Sequence, residues 1–384
     1  MRVLFVYGTR PEAIKMAPLV RAFQEEPAFE VRVCVTGQHR EMLDQVLSFF
    51  EITPEYDLNL MKPNQTLFSL TADVLTGLEP IIDSFKPELL WVQGDTTTVM
   101  AGSLAGFYKQ IPVAHLEAGL RSGNRFSPFP EEINRKVTGH IADYHFAPTA
   151  RAVENLAAEG ISQKVWQVGN TVTDALLLGL NIISERGESP YEQAFAEMGV
   201  DFSKRVILVT GHRRESFGGA FEQMCSAMKE IAQTYADVQL VYPVHLNPNV
   251  RTVVQEVLSG LSNVILIDPL DYPSLIWLMN RSFMVLTDSG GIQEEAPTLG
   301  KPVLVMRDVT ERQEGVEAGT AKLVGTSKEV ILREACALLD STEAYTKMAN
   351  AVNPYGDGTT SSQIVRIVKK ELLSPDRTTP PATE

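Results

Sequence analysis

The sequence predicts an α/β protein built from two doubly wound domains, and three observations carry that prediction. Short apolar, β-rich runs alternate with amphipathic stretches nearly throughout the chain. The runs are apolar almost continuously rather than at every second residue, as strands covered on both faces are. The chain's 384 residues also exceed what one core usually organises, so two domains are the starting expectation.

The candidate strands of the first half are 2–7, 31–36, 89–93, 111–115 and 144–147. Those of the second half are 205–210, 238–242, 263–267, 283–287 and 302–306. Helical patterns at 11–26, 66–85, 219–235 and 328–340 lie between them. Strand–helix alternation of this kind means two parallel sheets, each with helices on both faces. The domain boundary is expected between Val168-Gly169-Asn170 and Lys204, a stretch with a helix-like 172–184 followed by the charged Glu185-Arg186-Gly187-Glu188-Ser189-Pro190. The loop Asn353-Pro354-Tyr355-Gly356-Asp357-Gly358 precedes a last helix near 360–373. Beyond it, Pro375, Pro380 and Pro381 mark a tail with little to bury, read as disordered over 375–384.

Composition excludes several classes. Apolar residues at 44% and charged ones at 21% describe an ordinary globular protein. With 34 lysines and arginines against 48 acidic residues the net charge is −14, which argues against nucleic-acid or anionic-membrane binding. An anionic ligand must therefore be met by local cations. Cys34, Cys225 and Cys336 have neither zinc nor redox spacing and read as free thiols. The histidines and acidic residues show no metal-ligand pattern, so no metal site is expected. No apolar run approaches the ~18–20 residues that span a bilayer. Met1 leads straight into the first strand, and the expectation is a cytoplasmic protein without membrane insertion.

The chemistry gathers at strand ends, where open α/β sheets bind ligands. After the strand ending at Leu286, Ser289-Gly290-Gly291 opens a helix whose unpaired N–H groups and dipole suit a diphosphate. Glu294 and Glu295 follow closely enough for one to reach a ribose. After the first strand comes Gly8-Thr9-Arg10-Pro11-Glu12, with Pro11 fit for a helix start and Arg10 and Lys15 as local cations. Lys15 can equally be a solvated helix charge. No Gly-x-Gly-x-x-Gly or Walker pattern follows this strand, which disfavours nicotinamide and P-loop chemistry. Three more turns carry carboxylates: Asp95 in Gln93-Gly94-Asp95-Thr96-Thr97-Thr98, Glu117 in His115-Leu116-Glu117-Ala118-Gly119-Leu120-Arg121, and Glu131 before Arg135. Each has a plainer reading, with Asp95 as a helix cap, Glu117 paired with Arg121, and Glu131 on one helix face with Arg135. Taken together they form a site with acid/base capacity. In the second half Gly211-His212-Arg213-Arg214-Glu215 follows a strand, His245 follows another, and Arg312 is a second candidate diphosphate clamp.

These motifs resemble the non-hydrolysing UDP-N-acetylglucosamine 2-epimerases. Gly8 to Pro18, Gly94 to Thr98, Glu117 to Arg121, Pro130-Glu131-Glu132, Gly211 to Glu215, Asp288 to Pro297 and Thr310-Glu311-Arg312 match in order, from residue 3 to about 358. The resemblance implies two Rossmann-like domains facing across a cleft, as in GT-B glycosyltransferases. It puts residues 1–169 with a returning helix at 359–374 in one domain, and 170–358 in a UDP-binding domain. It implies a homodimer that interconverts UDP-N-acetylglucosamine and UDP-N-acetylmannosamine without a cofactor, supplying bacterial surface polysaccharides. Asp95, Glu117, Glu131 and His212 match positions regarded as catalytic. Arg10, Lys15, Arg135, Ser289, Gly290, Gly291, Glu295 and Arg312 are the expected substrate contacts. Gln38, Arg213 and His245 match positions linked to activation by a second molecule of substrate. The chain departs from relatives at Gln93, where histidine is frequent, at Leu270 and Leu275 near the expected uracil, and at Asn64, where some activated members have arginine.

Overall fold

A computed structural model of the chain describes residues 1–37, 40–62, 64–211, 213 and 217–373. Among them are two compact units, one of Met1–Ala175 with the segment from Gly356 onward, the other of Leu176–Tyr355.

The first unit holds strands β1 (Arg2–Tyr7), β2 (Glu30–Val35), β3 (Tyr56–Asp57), β4 (Leu89–Gln93), β5 (Val113–Leu116), β6 (Tyr144–Ala147) and β7 (Val165–Gln167). Its helices are α1 (Arg10–Gln24), α2 (Arg40–Phe49), α3 (Leu67–Phe85), α4 (Thr97–Tyr108), α5 (Glu131–Ile141) and α6 (Ala150–Ala158), and α7 (Thr171–Arg186) leads out of it. All seven strands are parallel, in the order β3-β2-β1-β4-β5-β6-β7. The order reverses between β1 and β4, so turns leaving those two strands open a crevice. One face of the sheet packs Leu4, Val6, Leu90 and Val92 against α3 and α4. The other carries an aromatic row in which Trp91 stacks on Phe5 (5.8 Å) and meets Phe146 (5.0 Å), which stacks on Trp166 (5.4 Å). Each such ring buries ~150–250 Å², so this row is a large share of the core.

The second unit contains α8 (Ser189–Glu197), β8 (Arg205–Thr210), α9 (Gly219–Thr234), β9 (Val238–Pro243), α10 (Pro248–Leu258), β10 (Val264–Ile267), α11 (Tyr272–Arg281) and β11 (Met284–Thr287). Then come α12 (Gly290–Glu295), β12 (Val303–Val305), α13 (Gln313–Ala318), β13 (Ala321–Leu323), α14 (Lys328–Asp340) and α15 (Thr342–Ala349). Six parallel strands run β10-β9-β8-β11-β12-β13, with the reversal between β8 and β11. The chain then re-enters the first unit, where α16 (Thr360–Val368) packs on α1 and Lys369 pairs with Glu26 at 2.8 Å.

Three strands lie outside the expected set: β3, β7 and β13, each of two or three residues at or next to a sheet edge. None is long enough to display a period of its own. The residues 375–384, read as a disordered tail, lie outside the described residues. Among the described residues no helix is long and apolar enough to cross a membrane.

Candidate active site

In the first unit the candidate site grows from the reversal between β1 and β4. Gly8 follows β1, and a Cβ there would stand 1.9 Å from Thr36 Oγ1, so any side chain would have to push that buried hydroxyl aside. Thr9 caps α1, with Pro11 in the first turn and Arg10 as the first helical residue. Glu12 completes the capping box: its Oε2 accepts the N–H groups of Gly8 (3.0 Å) and Thr9 (2.7 Å). Its Oε1 accepts the Thr96 hydroxyl (2.7 Å), tying the β1 turn to the β4 turn. Burial raises the pKa of Glu12 against the pull of these hydrogen bonds. Arg10 is half-buried and has no ion-pair partner among the described residues.

Glu117, one residue past β5, has a left-handed backbone with φ 64°. A non-glycine residue there costs of order 1–3 kcal/mol and persists only where its surroundings dictate it. They do so through the carboxylate. Lys15 Nζ and Asn170 Nδ2 (2.9 Å) donate to Oε1, and Gln93 Nε2 donates to Oε2 at 2.5 Å. The Lys15 and Glu117 side chains are only 14% and 8% exposed, so this ion pair is buried. Behind it His115 donates from Nε2 to the Gly94 carbonyl (2.7 Å), which fixes the Nε2–H tautomer because a carbonyl only accepts. Burial pushes His115 down to about 3 and its β6 neighbour His145 down to about 4, leaving both rings neutral.

Asp95 is held from α5. Arg135 donates to Asp95 Oδ2 (2.6 Å) and to Glu132 Oε2 (3.0 Å), while Asn134 donates to the Asp95 carbonyl (2.9 Å). Glu132 also accepts the N–H groups of Ser122 (2.9 Å) and Gly123 (3.2 Å). Burial works against the charge of Glu132, but these donors outweigh it and hold its pKa low. Glu131 is the first residue of α5, and its Oε2 is buried without a hydrogen-bond donor among the described residues. Each plainer reading is thereby corrected. Thr96, not Asp95, caps α4 through the Val99 N–H. Arg121 forms a bidentate pair with Glu159 (2.6 and 2.9 Å) rather than with Glu117, because Glu117 is claimed by Lys15. Arg135 pairs one turn back with Glu132 and not with Glu131.

The second unit carries its constellation at the reversal between β8 and β11. The Thr210 and Thr287 hydroxyls bond at 2.6 Å across the strand ends, and Ser289 N–H donates to Thr287 Oγ1 (2.9 Å). Asp288 accepts the Arg213 N–H on Oδ2 (2.8 Å), and its carbonyl accepts from Arg213 Nε (3.2 Å). A Cβ on Gly290 would lie 3.4 Å from Arg312 Cζ, so the guanidinium packs against the first turn of α12. Arg312 Nε donates to the buried Glu294 (2.8 Å). Glu295 is buried and accepts from the Tyr272 hydroxyl (3.2 Å). Thr310 joins the Arg312 loop to the helix, donating to Gln293 Oε1 (2.7 Å) and accepting the Arg312 N–H (3.1 Å). His245 lies exposed after β9, its Nδ1 accepting the Asn247 N–H (3.1 Å). His212 and Gln38 lie outside the described residues.

A family model described as UDP-N-acetylglucosamine 2-epimerase matches residues 21–369. The chain belongs to the UDP-N-acetylglucosamine 2-epimerase family. The UDP-N-acetylglucosamine 2-epimerase of Escherichia coli K12 is 55% identical to it over 375 residues, covering 97% of this chain and 100% of that protein. The crystal structure of the Neisseria meningitidis UDP-GlcNAc 2-epimerase bound to UDP-GlcNAc is 49% identical with a TM-score of 0.87, over 96% of this chain and 100% of that one. The Methanocaldococcus jannaschii enzyme in complex with UDP-GlcNAc and UDP is 34% identical with a TM-score of 0.77, over 96% and 100%. Two Rossmann-like units in one chain, matched along nearly their whole length by these structures, are the GT-B-like class that the sequence predicts. Within this epimerase frame, Glu12, Glu132 and Asn170 are structural partners that the sequence reading did not single out for a role. Only Glu12 had a signal, the Thr9-x-x-Glu12 spacing of a capping box.

Proposed function

We propose that the chain interconverts UDP-N-acetylglucosamine and UDP-N-acetylmannosamine by eliminating and re-adding UDP. The observation that carries this reading is Glu117, a buried carboxylate in a strained backbone, paired with Lys15 at the mouth of a parallel sheet. No carbonyl acidifies the C2 proton of the sugar, so the route runs through C1. The C1–O bond breaks with its electron pair leaving on UDP, and the positive character at C1 makes the C2 proton removable. That proton passes to a carboxylate, C1 and C2 become doubly bonded, and 2-acetamidoglucal and UDP result. Re-addition places a proton on the opposite face of C2 and returns the diphosphate oxygen to C1.

Two tasks follow. Glu117 is the base at C2, Glu131 its partner across the ring, and Asp95 acts beside them. Lys15 and Arg135, expected on the substrate, serve in this reading by holding Glu117 and Asp95 in place through ion pairs. Following the family resemblance, we assign Arg312, His212 and the Ser289-Gly290-Gly291 turn to the departing diphosphate and Glu295 to the ribose, with Arg10 as a further substrate contact. The reading also takes from the family a cytoplasmic homodimer that supplies surface polysaccharide precursors, activated by its substrate through Gln38, Arg213 and His245.

Proton NMR of UDP-N-acetylglucosamine with the protein in deuterium oxide tests it. A UDP-N-acetylmannosamine anomeric signal with deuterium at C2 and no added NAD is expected. Free N-acetylmannosamine with stoichiometric UDP overturns the non-hydrolytic outcome, and an unchanged spectrum overturns the substrate.

A further inference from the structure

We propose that Asn170 and Gln93 are positioning residues for this reaction, holding the Glu117 carboxylate in one orientation. The inference rests on the reading of Glu117 as the base at C2. Asn170 stands at the start of α7, the helix by which the chain leaves the first unit. Its Oδ1 accepts the Val172 N–H (3.1 Å) and its Nδ2 donates to Glu117 Oε1 (2.9 Å). That leaves no choice of amide orientation. Val172 N–H needs an acceptor and a carboxylate needs a donor, so a flipped amide loses both bonds. The helix start alone does not require asparagine, since serine, threonine or aspartate cap as well. The donor end of the amide is therefore what the position selects for, and that end faces Glu117. Gln93 ends β4 with 2% exposure and donates to the other carboxylate oxygen at 2.5 Å. With Lys15, the two amides place a donor on each oxygen from three separate elements. A carboxylate so held cannot swing off a C2 proton without breaking a buried charge-assisted hydrogen bond.

Among the described residues, the charged and titratable groups facing Glu117 include Lys15 on α1 and His115 within β5, while the Gln93 and Asn170 amides carry no charge. Charge introduced at position 170 therefore acts on Glu117 directly. The experiment compares Asn170→Ser, Asn170→Asp and Gln93→Met with wild type and with Glu117→Gln, reading kcat, KM, the pH profile of kcat and thermal stability. Both Asn170 variants keep a helix cap. Asn170→Ser keeps an acceptor for the Val172 N–H but withdraws the Nδ2 donor from Glu117, because its single hydroxyl sits one bond nearer the backbone, and its kcat falls about 10- to 100-fold with KM within about threefold. Asn170→Asp sets a second carboxylate beside the first, which raises the pKa of the base and moves the acid limb of kcat up by about one pH unit. Gln93→Met, which caps nothing, lowers kcat like Asn170→Ser. Wild-type kcat and acid limb in either Asn170→Ser or Gln93→Met, with Glu117→Gln inactive, overturn the positioning role. Should both Asn170 variants fail to fold, Gln93→Met decides alone. Normal deuterium exchange at C2 by Glu117→Gln overturns the reading of the base instead, so the two failures are distinct.

Discussion

The two units use one architecture in opposite senses. At the reversal of the first sheet, cations serve acids: Lys15 is bound to Glu117, and Arg135 bridges Asp95 and Glu132. At the reversal of the second, acids serve donors: Asp288 seats the Arg213 N–H, and Glu294 holds Arg312 against Gly290. The fold supplies the same crevice each time. Which sign of charge is left to work is decided by a handful of residues at strand ends. A carboxylate anchored by cations suits proton transfer, and a cation anchored by a carboxylate suits an anion.

The largest effect that can break this comparison is a split between turnover and binding. Asp95→Asn keeps the shape of the side chain and leaves Arg135 its Glu132 partner, so the fold holds. Turnover is expected to drop by about 10²- to 10⁴-fold, as for loss of a proton-transfer group. The dissociation constant of UDP, measured by titration calorimetry, stays within about threefold. Equal losses of turnover and UDP affinity would mean that the two constellations do not divide the work in this way.

A smaller, converse effect belongs to Arg312. Its truncation to alanine is expected to weaken UDP about 10- to 100-fold, the scale of a charge-assisted contact. It also removes a partner from the buried Glu294, which costs about 1–3 kcal/mol of stability. Adding Glu294→Gln to Arg312→Ala should recover stability and not affinity. Recovery of both would make Arg312 a structural counter-ion and nothing more.

Much of this was legible in the sequence because strand ends announce themselves. The apolar runs ending at Tyr7, Gln93 and Thr287 coincide with β1, β4 and β11, and each is followed by glycine and polar residues. What stayed hidden was partnership. Lys15 and Glu117 are separated by 102 residues, and Glu117 and Asn170 by 53, so no local spacing reveals them. Local charge patterning instead pointed to Arg121 for Glu117, and that arginine goes to Glu159, which lies on the edge of α6. Glu132 was masked by Glu131 beside it. Adjacent helix residues look alike in sequence, yet only Glu132 faces Arg135 and the Ser122 turn. The short strands β3, β7 and β13 owe their existence to a neighbouring strand rather than to a pattern of their own.

The smallest effect sharpens the comparison through pH. In the second unit Arg307, 6% exposed, grips Glu311 with two bonds (3.0 and 3.1 Å). Burial works against the Glu311 charge, but the guanidinium outweighs it and holds the carboxyl at about 2. A depressed carboxyl stabilises the fold fully above its unfolded pKa, about 4.3, and loses that contribution as pH falls through about 2. Because the Glu311 side chain is 44% exposed, solvent screening reduces the effect to about 1 kcal/mol. In the first unit Glu12 has the opposite sign. Burial raises it, so its contribution is fully present below about 4.3 and is lost as pH rises through the folded value. Hydrogen exchange of strand amides from pH 7 to pH 3 resolves the two sheets separately. Glu311→Gln should lower protection in the second sheet at pH 7, with the difference closing as pH falls. Glu12→Gln should reduce the pH dependence in the first sheet, with its protection gaining on wild type as pH rises. A Glu311→Gln difference that stays constant across that range would mean the Arg307 pair holds the loop by packing rather than by charge.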